Sequence, residues 1–157
     1  MYEKLNNGVY RCGFASKQGA YDAAVKDVFE GLDRLDGILS TSTFLLGDTV
    51  SEVDVFLLPT AVRFDSIYHT FFKCGLTTIN ASYKNIARWM ADMHRVPGVR
   101  QTFDLDDAKR SYYDQLFPLN PSGIIAATPE KPFRDMLANA VESDEWSLSV
   151  LERKVKK

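Results

Sequence analysis

The sequence predicts an all-α domain, and three observations carry that prediction. Between Ser16 and Leu39, apolar residues recur at three- and four-residue steps, the period of one helix face. At Ser51 a helix-start signature stands directly before an apolar run. Nowhere along the chain do apolar and polar residues alternate convincingly, as a half-buried strand requires. Helices joined by short breakers, packed as a bundle, are the architecture this pattern supports.

The segment from Asn7 to Ala15, which contains Gly8 and Gly13, reads as extended. The long helix follows, with Ala20, Tyr21, Ala24, Val28, Leu32, Leu35 and Leu39 on its apolar stripe. Its polar face offers Asp22/Lys26 and Glu30/Arg34 as i,i+4 ion pairs. Gly47-Asp48 marks a turn. Ser51 and Asp54 then have the spacing of a capping box, with Asp in place of the commoner Glu. Val50 and Val55 flank it as a hydrophobic staple. The helix runs from about Glu52 to Tyr68 and must accommodate Pro59 in its interior.

A further amphipathic helix spans Tyr83 to Arg95, with Ile86, Ala87, Met90 and Met93 inward and Pro97-Gly98 as its stop. Another runs from Asp104 to about Leu116, capped by Asp104 or Thr102. Asn120-Pro121-Ser122-Gly123 is a turn, and Pro129 and Pro132 break the chain after it. Residues 1–128 therefore form the helical domain. Residues 129–157 form a divergent tail with a weaker stripe and a basic, solvated end.

Composition narrows the function classes. The chain has 157 residues, 45% hydrophobic and 25% charged, the balance of an ordinary globular domain. Its 19 basic and 21 acidic residues give a net charge of -2 and no general field for nucleic acid or an anionic membrane. No apolar run approaches the roughly 20 residues that span a bilayer, and Met1 to Tyr10 lack the apolar core of a signal peptide. The expectation is a cytoplasmic protein with two reduced thiols, Cys12 and Cys74.

The chemistry on offer is sparse. His69, His94, Cys12 and Cys74 match no zinc spacing, and no phosphate-binding glycine motif occurs. Cys74 reads as a small buried hydrophobe; Cys12, in its glycine-flanked segment, reads as structural with partial exposure. The tyrosines are more informative. Tyr112 and Tyr113 are adjacent on a helix and point about 100° apart, so one can face the core and the other a cleft. A phenol hydroxyl donates or accepts from the edge of an apolar ring, which suits a flat aromatic ligand bearing oxygens, such as a quinone. Packing alone also accounts for tyrosines at such positions.

At this point several residues fall into a known order. Asn7-Gly8-Val9-Tyr10-Arg11, Gly13-Phe14-Ala15, Gln18 and Ala20-Tyr21 resemble the opening of the helical domain of the glutathionyl-hydroquinone reductases, the omega-like xi class of glutathione transferases. Leu46-Gly47-Asp48 with Ser51-Glu52 and Asp54 resembles the transferase capping-box segment. Arg63-Phe64-Asp65, Ile67-Tyr68 and Phe72-Lys73-Cys74 resemble further family elements. Pro97-Gly98-Val99, Tyr112-Tyr113 and Asn120-Pro121 with Gly123-Ile124-Ile125 complete the series, from Leu5 to Ile125.

The resemblance implies the helical C-terminal half of a glutathione transferase. It implies a substrate pocket lined by Tyr10 and Tyr112, with Tyr113 adjacent, for an aromatic quinone-type molecule. It implies a homodimer paired through helical domains, with glutathione as co-substrate. In the family the nucleophilic Cys and most of the glutathione site lie in an N-terminal thioredoxin-like domain. No β-α-β pattern or Cys-Pro pair precedes Leu5, and neither Cys12 nor Cys74 aligns with the nucleophile, so no catalytic residue is assigned. Family histidines and a serine are replaced around Phe71, Ser111 and Leu116. The expectation is a substrate-binding half, inactive by itself, that works with a thioredoxin-like domain in trans. A non-catalytic helical interaction module is the alternative.

Overall fold

The computed structural model describes residues 1–116 and 118–128, together with Asp135. Every regular element among them is helical, as the periodicity predicts. The elements are α1 (Gly8–Gly13), α2 (Gln18–Leu39), α3 (Glu52–Arg63), a π-helical turn (Phe64–Tyr68), α4 (His69–Phe71), α5 (Ile79–Ser82), α6 (Lys84–Arg95), a 3-10 turn (Arg100–Thr102) and α7 (Leu105–Gln115). The expectations for residues 129–157 lie outside the described residues, Asp135 apart.

The expected extended segment is a helix. Residues 8–13 form α1, because both glycines serve close packing rather than an unusual backbone angle. A Cβ on Gly8 would lie 2.9 Å from Val28 Cγ2, and one on Gly13 would lie 2.2 Å from the Phe72 ring. Gly31 of α2 repeats the device against Leu5. A missing side chain therefore lets α1 lie on α2, and burial of Val9 and Cys12 outweighs the glycines' poor helix propensity.

The buried face of α2 is wider than its sequence stripe. Val25, Phe29 and Gly31 join Ala24, Val28, Leu32, Leu35 and Leu39, while Ala20 stays exposed. The polar face also pairs differently from the i,i+4 reading. Asp22 accepts from Gln18, Asp27 is held by Arg11 and Lys4, and Glu30 by Lys4 and Lys26. Lys4 and Arg11, brought against this face by tertiary packing, thus add to the same-helix partners Gln18 and Lys26.

The capping box at Ser51 and Asp54 is present in both directions. Asp54 does more than cap. Its Oδ1 accepts from Leu45 N and from Trp89 Nε1, both at 2.9 Å, and its Oδ2 from Ser51 N at 2.8 Å. One fully buried carboxylate thus ties the start of α3 to the Phe44–Gly47 turn and to α6. The expected staple does not form a buried pair, since Val55 is 57% exposed. Pro59 is tolerated because it sits on the exposed side of α3, where its missing N–H leaves the Val55 carbonyl open to water.

The helix expected to reach Tyr68 changes type at Phe64. In the π-helical turn all five residues, Phe64 to Tyr68, are buried. Asp65 can then cap α5 from a distance, accepting from Ile79 N at 2.6 Å and from Asn80 N at 3.0 Å. Asp36 of α2 likewise caps α6, accepting from Asn85 N and Ile86 N. Arg88 closes the bundle by donating to the carbonyls of Leu39, Ser42 and Thr43 and pairing with Asp92. Asp104 caps α7 by accepting from Asp107 N at 2.9 Å. The turn at Asn120 to Gly123 forms, with Gly123 at φ +66. No helix among the described residues is long and apolar enough to cross a membrane.

Candidate functional site

Four elements converge on a cluster of aromatic rings. From α1 comes Tyr10, from the π-helical turn Tyr68, from α4 Phe71 with Phe72 just beyond it, and from α7 Tyr112 and Tyr113. The Tyr68 and Phe72 rings stack at 5.4 Å with planes 3° apart, and Tyr112 meets both edge-on at 5.6 and 5.8 Å. Tyr10 leans on Phe72 at 5.1 Å. Such edge and offset contacts satisfy ring quadrupoles and hold each hydroxyl in a fixed place.

The hydroxyls form a chain. Tyr10 Oη lies 2.6 Å from Tyr112 Oη, which lies 2.9 Å from Tyr68 Oη. Tyr68 is buried and Tyr10 is 37% exposed, so the chain runs from the core to the surface. Three hydroxyls share two hydrogen bonds and leave one proton to spare. A buried hydroxyl without an acceptor costs about 1–3 kcal/mol. The favoured order is therefore Tyr68 donating to Tyr112, Tyr112 donating to Tyr10, and Tyr10 presenting its proton outward.

Burial keeps Tyr112 and Tyr68 as phenols. Burial is the main cause that pushes Tyr112 up to about 12, with a contribution from its hydrogen bond to Tyr10; the Arg63 charge opposes it. Tyr68 is raised further, again chiefly by burial and then by the neighbouring phenols. Neutral hydroxyls at pH 7 can orient an oxygen-bearing ring by hydrogen bonding.

Of the residues singled out in the sequence, Tyr10 and Tyr112 are brought into contact. Tyr113 points the other way: it is 3% exposed, and its ring meets Phe71 at 4.6 Å. The adjacent tyrosines point apart as the 100° helical step requires, Tyr113 into the core and the half-buried Tyr112 toward Tyr10. Tyr68 was not singled out as a site residue. Its signal was the Arg63-to-Tyr68 element, but only the π turn, which rotates Tyr68 inward, makes it the inner end of the chain. His69 and His94 do not converge with the thiols, and no metal-binding cluster occurs among the described residues. Cys12 is fully buried rather than partly exposed, because α1 turns it against the core.

Known proteins share this arrangement of helices. Residues 18–92 match the family described as glutathione S-transferase, C-terminal domain. The chain is 44% identical over 132 residues to the glutathionyl-hydroquinone reductase PcpF of Sphingobium chlorophenolicum, covering 84% of this chain and 42% of that protein. It superposes on the glutathione-bound structure of YqjG, a glutathione transferase homologue from Escherichia coli K-12, with a TM-score of 0.78 and 41% identity. That match covers 82% of this chain and 41% of the other. The xi-class transferase of Phanerochaete chrysosporium gives a TM-score of 0.80 at 41% identity, covering 83% and 44%. The chain thus spans about two-fifths of the length of the curated relatives it matches. Fold, motif order and relatives agree: the chain belongs to the glutathione transferase family and carries its all-helical C-terminal domain, in the form found in xi-class members and glutathionyl-hydroquinone reductases.

Proposed function

We propose that this chain is the substrate-binding half of a glutathionyl-hydroquinone reductase, with Tyr10 and Tyr112 holding the oxygens of an aromatic, quinone-type ring. The observation that carries this reading is the phenol chain from Tyr68 through Tyr112 to Tyr10, whose outer hydroxyl is free to donate. Tyr113 and Phe71 back that surface from the core side. The names of its relatives support the reaction class.

Glutathione enters as co-substrate, bound mainly by a thioredoxin-like domain acting with this one. No residue of this chain is proposed as nucleophile, since Cys12 and Cys74 are both buried. The proposed assembly is a cytoplasmic homodimer. Titration of chlorohydroquinone by calorimetry tests the site. The full chain binds, and Tyr10→Phe weakens binding about 3–10-fold, the worth of one hydrogen bond. Unchanged affinity in Tyr10→Phe removes the role of the hydroxyl. The chain alone is expected not to reduce a glutathionyl-hydroquinone with glutathione, and to do so when a matching thioredoxin-like domain is supplied. Full activity without that domain overturns the half-enzyme reading.

A second reading, a helical interaction module, is favoured by one observation. Phe14, Phe56 and Leu46 are large apolar side chains that expose 51%, 67% and 72% of their surface, area that a partner domain can cover. Binding of a thioredoxin-like domain with no affinity for hydroquinone would favour it.

A further inference from the structure

Tyr68 belongs to the phenol chain, yet the proposed function assigns it no task. It stands last in a π-helical turn whose five residues are all buried, and its own exposure is 1%. Its ring is clamped. Phe72 stacks on it at 5.4 Å with planes 3° apart, and Tyr112 meets it edge-on at 5.6 Å. The Tyr68 hydroxyl therefore has a fixed place, 2.9 Å from Tyr112 Oη and away from solvent.

The direction of the chain follows from that place. A phenol carries one proton to give, and its oxygen also accepts. In the order Tyr68 to Tyr112 to Tyr10, both inner protons have acceptors, since Tyr10 Oη lies 2.6 Å from Tyr112 Oη. The opposite order, from Tyr10 inward, leaves the Tyr68 proton without an acceptor in the core, an unfavourable state for a buried hydroxyl. Tyr10, 37% exposed, consequently meets a ligand as a donor.

We propose that Tyr68 is a positioning residue that sets the direction of the phenol chain, so that the site selects an aromatic ring bearing an ionised or carbonyl oxygen over one bearing a neutral hydroxyl. The inference rests on the reading of the tyrosine cluster as a ligand site and adds the form of ligand it takes. A donor at the mouth makes its strongest hydrogen bond to a charged acceptor. A neutral hydroxyl must instead turn its lone pair to Tyr10 and send its own proton elsewhere. The surrounding charges suit an anion. Arg63, the last residue of α3, places a positive charge that acts on Tyr112. Asp65, on the same π-helical turn, directs its oxygens to Ile79 and Asn80. In α4, His69 Nδ1 lies 3.4 Å from Thr70 Oγ1, and beyond it Lys73 Nζ donates to the Gly13 carbonyl.

Removing the Tyr68 hydroxyl removes the bias. Tyr10 is then free to donate inward to Tyr112, whose own proton reaches solvent at its half-buried edge. Tyr10 offers a lone pair at the mouth in that order, and a neutral phenol is accepted as readily as its anion. The Phe72 stack needs only the ring, so Tyr68→Phe changes the direction of the chain while keeping its packing.

The probe is para-nitrophenol, whose absorbance distinguishes phenol from phenolate. Bound to the full chain and titrated with pH, it should show a pKa about one unit below its value in water, the equivalent of a tenfold preference for the anion. Tyr10→Phe, which removes the donor, and Tyr68→Phe, which leaves that donor in place, should each abolish at least half of this shift. An unshifted or raised pKa on the wild-type chain overturns the proposal without any variant. A Tyr68→Phe chain that keeps the full shift, or that binds both forms more weakly by one common factor, overturns it as well. Absence of binding to the wild-type chain instead removes the ligand site itself, and this inference with it.

Discussion

Tyr10 and Tyr112 stand 102 residues apart in the sequence and 2.6 Å apart at their phenol oxygens. That contact joins the first helix to the last described one, with Tyr68 completing the chain behind it. The two outer tyrosines are therefore not equivalent to mutation.

Tyr112→Phe removes the acceptor of the buried Tyr68 hydroxyl, whereas Tyr10→Phe removes only the exposed end. We expect Tyr112→Phe to cost about 1–3 kcal/mol of stability and Tyr10→Phe less than about 1 kcal/mol. Urea unfolding of the two variants measures both. Equal losses would argue against the core-to-surface order of donors.

Asp54 combines a cap with two tertiary hydrogen bonds, and Ser51 supplies the reciprocal half of the cap. Ser51→Ala should cost about 1 kcal/mol, the worth of an ordinary cap. Asp54→Ala should cost more than about 3 kcal/mol, because it leaves the buried Trp89 and Leu45 N–H groups without acceptors. Thermal unfolding of both variants gives the comparison.

Glycine substitutions separate packing from propensity. Helix propensity alone makes Gly→Ala favourable by about 0.8–1 kcal/mol in a helix interior. Gly37 in α2 meets nothing within 4 Å of a built Cβ, so Gly37→Ala should stabilise by about that amount. At Gly13 the new methyl meets Phe72, so Gly13→Ala should instead destabilise by about 1–3 kcal/mol. Opposite signs in urea unfolding are the expected result.

His94 provides a pH test. Burial, aided by the Arg100 charge, holds its imidazole below the ordinary value of 6.5, while Nδ1 contacts the Met90 carbonyl at 2.9 Å. The unfolded chain therefore binds this proton first as pH falls. The contribution to stability is whole above about 6.5 and is lost as pH drops from there through the lower folded value. Unfolding free energies between pH 8 and pH 5 should show this decline, and His94→Gln should flatten it. An equal slope in both proteins would count against His94 as its source.

Much of the fold was legible because local rules and tertiary rules agreed. The stripe of α2, the box at Ser51 and Asp54, and the cap at Asp104 all depend on neighbours within about one helical turn. Where the two sets of rules diverged, the reading failed. The segment holding Gly8 and Gly13 reads as extended, yet these glycines let α1 and its partners approach as a packed helix. Helix α6 has no side-chain cap at its own Tyr83 and takes one from Asp36, 49 residues before the Asn85 N–H it accepts. Tyr112 was legible as a site residue through its place in a motif, but Tyr68 needed the π turn to face it.

The sequence by itself determined that this chain is helical, roughly where each helix lies and which family it joins, because periodicity, caps and motif order are properties of short stretches. Tertiary structure alone decided that α1 is a helix, that Tyr113 turns inward while Tyr112 meets Tyr10, and that Cys12 is fully buried. Those outcomes depend on side chains far apart in sequence competing for one buried volume, where close packing leaves a single arrangement that fits.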